Sequence, residues 1–226
     1  MLPPADSAMS AVALQVVNLL SGGPIPYRDA WERQRELVAQ RQREEIPDTL
    51  LLLEHPPTIT YGKAADPAYR LLSPAEYARR GIELIETDRG GDVTYHGPGQ
   101  LVGYPIVHLG EGRRDIHRYV RALEAGIVCA CEELGVHGAE RAPWHAGVWV
   151  GDGYLAALGV KVSRWVTHHG FALNVSETVR PGFETIVPCG VAGKRVVTVS
   201  ELVERSVTVA EAAAAANRVF PAFLHS

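Results

Sequence analysis

The stretch RGGDVTYHGPGQLVGYPIV, residues 89–107, crowds an arginine, an aspartate, a histidine and two tyrosines among five glycines and two prolines. Neighbouring glycines let a ligand approach the backbone and leave amide donors unobstructed. If DVTYH is a strand, its alternation puts Asp92, Thr94 and His96 on one face and Val93 and Tyr95 on the other. Such a segment can line a mostly apolar channel with a few orienting polar groups. It can equally be a decorated hairpin that turns at GPG. It is not a phosphate loop, because no Gly-Lys-Ser/Thr follows, and it lacks the Gly-x-Gly-x-x-Gly turn into a helix that binds dinucleotides.

Other reactive side chains are few. The lysines are Lys63, Lys161 and Lys194; the cysteines are Cys129, Cys131 and Cys189. An odd cysteine count in a chain of 226 residues does not read as a disulfide framework. Cys129 and Cys131 fall in a helical pattern and read as small buried residues. With no Cys-x-x-Cys pair and no zinc spacing among the histidines, neither a metal nor a cofactor is expected. A formal net charge of -4 argues against nucleic-acid binding, which normally needs a basic face. The apolar run AVALQVVNLL is too short to cross a bilayer and lacks the positive leader of a signal peptide. The expectation is a cytoplasmic protein without membrane association.

The elements that must hold these residues can be read along the chain. Residues 1–10 read as a tail. AVALQVVNLL reads as a strand stopped by SGGP, PYRDAWERQRELVAQRQREE as an amphipathic helix, and TLLLLEHPP and TITYG as strands. SPAEYARRG carries helix punctuation: Ser73 as cap, Pro74 in the first turn, Glu76 completing a capping box and Gly81 ending it. IELIET is a strand. DIHRYVRALEAGIVCACEELG is the longest helix, capped by Asp115, with Ile116, Val120, Leu123, Ile127, Cys131 and Leu134 on one stripe. AGVWV, GYLAALGVKV and WVTHHGFALNV make the second half strand-rich; FETIVPCG and VVTVSELV follow, and a helix from Thr208 closes the chain with a Thr208–Glu211 box. With no linker or repeat, residues 11–226 are expected to form one α+β domain with mixed, largely antiparallel sheets flanked by helices.

Together, RGGDVTYHGPGQ, EHPPTITYG, ALGVK, HHGFALNV and IVPCG resemble the signatures of the octanoyltransferase family of lipoate biosynthesis, related in fold to biotin- and lipoate-protein ligases. They occur in family order from about residue 14 to 205. The resemblance implies transfer of an octanoyl group from acyl carrier protein to a lysine of a lipoyl domain, through a cysteine thioester. The acceptors it implies are lipoyl domains of 2-oxoacid dehydrogenase complexes and the glycine-cleavage H protein, served by a monomer. It places the nucleophile at Cys189. The acyl-binding segments fall on Arg89, Gly90, Gly91, Asp92, Val93, Thr94, Tyr95 and His96, on Ala157, Leu158 and Gly159, and on His169, Gly170, Phe171 and Ala172. Two rivals stand beside it: an ATP-dependent ligase on the same scaffold, and an impaired homologue that binds carrier or lipoyl domains without reacting.

A thioester donor suits a thiolate, but a thiol of pKa about 8.5 is only a few per cent ionised at pH 7. Lowering that pKa by about 2 units takes about 2.7 kcal/mol. One cation about 4 Å away offers about 4 kcal/mol at an effective dielectric of about 20. In the family a lysine does this, and the ALG alignment puts Tyr154 at its position. Lys161 lies seven residues on and reaches the same strand face only past a bulge, which Gly159 could supply. The alternatives are His96 or His169 paired with the cysteine, or Lys63 or Lys194 from a loop. Arg89 is expected to bind ligand or to pair with Asp88 or Asp92, and Asn174 to serve a turn or a backbone bond.

Overall fold

The computed structural model describes residues 14–143, 145–187 and 193–224. The tail expected at 1–10, and Cys189, lie outside them. Eight strands form the larger sheet: β1 (Gln15–Asn18), β2 (Thr49–Leu53), β6 (Gln100–Ile106), β10 (Val166–Asn174), β9 (Gly153–Ser163), β8 (His145–Val150) and β7 (Ala139–Ala142) in spatial order, with β11 (Arg195–Val196) also paired to β9. Only β1 with β2 and β11 with β9 run parallel in it. A smaller sheet sets β3 (Thr58–Tyr61) between β4 (Glu83–Glu86), parallel, and β5 (Val93–His96), antiparallel.

The large sheet is covered on both faces, and β2 shows why. Leu50 and Leu52 join the cluster under α3 (Ile116–Glu133) and α6 (Val209–Leu224), while Leu51 and Leu53 join the one under α1 (Tyr27–Gln42). A continuous run of leucine suits a strand buried on both sides. The caps read from sequence are in place. The Ser73 hydroxyl accepts from Glu76 N at the start of α2 (Pro74–Arg79), Asp115 accepts from Arg118 N, and Thr208 and Glu211 bond reciprocally. The α+β class with mixed sheets is borne out.

Two expectations need correction. The turn at GPG is real, since Gln100 N donates to Gly97 O and Gly99 has φ +89°. It is not a hairpin, however, because β5 pairs in the small sheet and β6 in the large one. The turn therefore carries the chain between sheets. After β11, VVTVSELV continues into the short helix α5 (Val199–Leu202), where the Thr198 hydroxyl caps by accepting from Glu201 N. Ile116, assigned to the buried stripe of α3, is 45% exposed.

Candidate active site

The opening motif holds itself in place before it can hold anything else. Arg89 is buried and donates to Thr60 O, Thr60 Oγ1, Gly90 O and Asp92 O at 2.6–3.3 Å. Its partners are thus carbonyl and hydroxyl oxygens rather than the Asp88 or Asp92 carboxylates considered from sequence. Gly90 N donates to Val160 O at 2.9 Å, which fastens the loop to β9. That contact explains Gly159: a Cβ there would sit 2.9 Å from Gly90 O and 3.0 Å from Arg89 Cδ. The glycines serve the close approach of loop to strand as much as the space beside it.

Between β5, β6, β9 and β10 opens a cleft of about 310 Å³, at the small end for ligand pockets. Of the segments named from sequence, residues 89–92, Thr94, His96, 157–159 and 169–172 all line it. Val93 and Tyr95 do not: they face the other way, into the core beneath the small sheet with Ile59 and Phe183. Alternation along β5 had already put these two opposite Thr94 and His96. Sequence reasoning missed Tyr27, Tyr104, Ile116, Val120, His145, Ala146 and Val160 as lining residues. Tyr27 reads in isolation as one more apolar position of α1, and His145 carries no motif at all.

One wall is a polar chain with determined proton positions. His55 Nδ1 lies 2.6 Å from the Ile25 carbonyl, which can only accept, so Nδ1 carries the hydrogen and Nε2 accepts from the Tyr104 hydroxyl at 2.7 Å. His96 Nδ1 faces Gln100 Oε1 at 2.9 Å, and its Nε2 accepts from Thr60 Oγ1 at 3.3 Å. His169 Nε2 lies 2.8 Å from Asp88 Oδ1 and so donates to it, leaving Nδ1 to accept from the Tyr27 hydroxyl at 3.3 Å. The Gln100 amide donates to Asn174 Oδ1 and to Tyr95 O, which gives Asn174 its place in the network.

Burial dominates the ionisation of these groups. It lowers His55, His168 and His169 to about 4, pushes His96 well below its usual value, and raises Tyr27 to about 12 and Tyr104 well above 10. Asp88 goes the other way. Partial burial would raise it, but bonds from Lys161 and His169 outweigh burial and bring it down to about 2.

His168 and His169 are consecutive in β10, yet their rings stack at 4.8 Å. The backbone of His169 has φ +55°, a value rare outside glycine, and this breaks the two-residue alternation. Asp88, His168 and His169 each offer a ligand atom within 4.8 Å of the others, a spacing compatible with a cation. The Lys161 ammonium already stands on the second Asp88 oxygen at 2.5 Å.

That ion pair bears on the activator. β9 pairs with β10 in unbroken register from Ala156 to Ser163, so Gly159 makes no bulge; the register of β9 with β8 shifts between Tyr154 and Ala156 instead, and this irregularity puts Lys161 on the face of Tyr154 and Ala157. Lys161 does not line the cleft. Lys194 pairs with Asp152, and Lys63 is exposed on a loop. Tyr154 is buried against Trp149, with ring centroids at 4.6 Å, and His145 meets its ring edge-on at 5.9 Å. Cys131 is no rival nucleophile, because burial pushes its thiol to about 12.

The architecture recurs in solved structures. A putative lipoate protein ligase from T. acidophilum matches with a TM-score of 0.70 at 16% identity, covering 94% of this chain and 85% of that one. A lipoate-protein ligase A bound with ATP matches at 0.71 with the same identity and coverage. These likenesses define the class of fold, that of the lipoate-ligase catalytic domain. Residues 26–221 match the model of the lipoyl protein ligase A/B catalytic domain, and the chain belongs to that family. Within it, the chain is 52% identical to an octanoyltransferase of Gloeobacter violaceus over 76% of this chain and 75% of the relative. It is 48% identical to one of Chloroflexus aurantiacus over 84% and 86%, and 42% identical to one of Corynebacterium jeikeium over 93% and 87%. The resemblance to octanoyltransferases is borne out, and with it the reading of the chain as an acyltransferase. Among the described residues, no helix is long and apolar enough to cross a membrane.

Proposed function

We propose that the chain moves an octanoyl group from the thioester of acyl carrier protein to the ε-amino group of a lysine in a lipoyl domain, Cys189 carrying it as a thioester between the two. A single catalytic domain of residues 11–226 acts as a monomer in the cytoplasm, without cofactor. Its acceptors are lipoyl domains of 2-oxoacid dehydrogenase complexes and the glycine-cleavage H protein. Thioester exchange onto a thiol keeps the acyl group activated, and aminolysis then runs downhill to the amide.

The observation that carries this reading is the cleft. Its walls at Ala157, Leu158, Val160, Phe171 and Ala172 are apolar, as a hydrocarbon chain requires, and the neutral rings of His96 and His169 with the hydroxyls of Tyr27 and Tyr104 stand where a carbonyl and an amine would need orienting. Ile116 and Val120 bring α3 to the cleft, and Arg114, Arg118 and Arg121 on and near that helix are exposed, charge suited to an acidic carrier.

Incubation with octanoyl acyl carrier protein, followed by intact-mass measurement and peptide mapping, tests the reading. An octanoyl adduct on Cys189, transferred to a lipoyl domain without ATP or magnesium, is expected. Cys189→Ala should abolish adduct and transfer together while leaving the unfolding midpoint unchanged. A requirement for ATP and magnesium would instead make this a ligase. Binding of the carrier without any adduct would make it a non-reacting homologue.

A further inference from the structure

We infer that Tyr27, His169 and Asp88 form a proton relay for the aminolysis step, Tyr27 meeting the acceptor amine and the other two acting through it; this rests on the acyl transfer proposed above. The three come from α1, β10 and the loop before β5, brought together across 142 and 81 residues of chain. The Tyr27 hydroxyl donates to His169 Nδ1 at 3.3 Å, and His169 Nε2–H donates to Asp88 Oδ1 at 2.8 Å. Hydroxyl, imidazole and carboxylate in this order reproduce the nucleophile–base–orienter logic of hydrolytic triads. Here the first member is a tyrosine, whose weakly nucleophilic hydroxyl is suited to passing a proton on.

Several features hold the arrangement ready. Tyr27 and His169 both line the cleft, and each is only 1% exposed. The left-handed backbone at His169 is fastened by a bond from its own N–H to Gln34 Oε1 at 2.7 Å. This strained conformation turns the imidazole toward Asp88 and Tyr27, off the face that alternation would give it. Lys161 on the second Asp88 oxygen keeps that carboxylate anionic and oriented. The imidazole is faced by Tyr27 and Trp31 from α1, Tyr104 from β6, His168 from its own strand, Lys161 from β9, and Asp88, Arg89 and His96 from the loop and β5. Of these, only Asp88 is a carboxylate, so the one group placed to stabilise an imidazolium is the one bonded to it.

The step balances as follows. A neutral amine attacks the thioester carbonyl carbon; the N–C bond forms and the C–S bond breaks. The proton shed by nitrogen goes to the Tyr27 oxygen as the Tyr27 proton moves to His169 Nδ1. The resulting imidazolium is held by Asp88, and the proton returns along the same path to the departing sulfur. Thioester and amine become amide and thiol.

A comparison of two acceptors separates relay from architecture. Hydroxylamine is a far weaker base than a lysine amine and attacks thioesters with little help in proton removal. Octanoyl transfer is therefore followed in parallel to a lipoyl-domain lysine and to hydroxylamine, in wild type and in Tyr27→Phe, His169→Gln and Asp88→Asn. The relay predicts that lysine acylation falls about 100-fold or more in Tyr27→Phe and His169→Gln, and less in Asp88→Asn, and that in the first two it falls at least about 30-fold further than hydroxamate formation does. Parallel loss with both acceptors would mean the residues merely shape the cleft and would overturn the relay, as would unchanged lysine acylation in Tyr27→Phe. A wild type that yields hydroxamate but acylates no lysine would overturn the acceptor reading itself, a different failure because it precedes any substitution.

Discussion

Arg89 carries a full charge into a buried site where all four of its acceptors are neutral oxygens: three carbonyls and the Thr60 hydroxyl. Its planar fork spans oxygens that lie apart, and an ammonium on a single point could not. Replacing Arg89 by methionine leaves the carbonyls of Thr60, Gly90 and Asp92 without that donor, which should cost about 2–4 kcal/mol. Lysine at the same position should restore less than about half of the loss, because one compact ammonium cannot reach three separate carbonyls. Urea unfolding of the two variants measures this. Full rescue by lysine would show that charge, not geometry, is what the loop needs. The charge still serves the cleft, since Arg89 lines it, but its first duty is to bind the loop to β3.

At the scale of elements, the decisive contact is the loop lying flat on β9. Gly159→Ala would push a methyl group against Gly90 O and Arg89, both fixed, and should destabilise the fold by about 1–3 kcal/mol. It should also slow acyl transfer by displacing the cleft wall. Gly110→Ala is the matched control, because nothing lies within 4 Å of a Cβ there and its φ is -60°. Equal unfolding midpoints for the two variants would remove the close approach from the account. Much of this was legible beforehand. The period of two along β5 correctly separated Thr94 and His96 from Val93 and Tyr95, and the caps marked the helix starts. The partner of β5 was not legible, because a Gly-Pro-Gly turn reports a change of direction and says nothing about which sheet receives the next strand. The union of His168 and His169 was hidden for a related reason: period two sends neighbours apart, and a positive φ at a histidine leaves no trace in composition. Tyr27 and His169 are 142 residues apart, so only the packing of α1 on β10 makes them partners.

At the scale of the whole molecule, the same desolvation that keeps the buried histidines neutral sets how the fold responds to acid. His55, His96, His168 and His169 are at most 6% exposed. Burial lowers three of them to about 4 and the fourth well below its usual value. In the unfolded chain each would titrate near 6.5. Between these limits the unfolded state binds protons that the folded state refuses, so stability rises with pH there. The stabilisation is fully present above about 6.5 and drains away as the pH falls toward 4. Asp88, lowered to about 2, adds its own loss only once the pH drops below the ordinary carboxylate range. Near pH 5.5 the four rings should give an uptake of about three to four protons on unfolding, or about 4 to 5 kcal/mol per pH unit. Unfolding free energies by urea at half-unit intervals from pH 7.5 to 4.5 test this directly. A slope below about 1 kcal/mol per unit would mean that the histidines are charged in the native state. The wall of the cleft would then be cationic, and His169 would already hold the proton it is meant to receive.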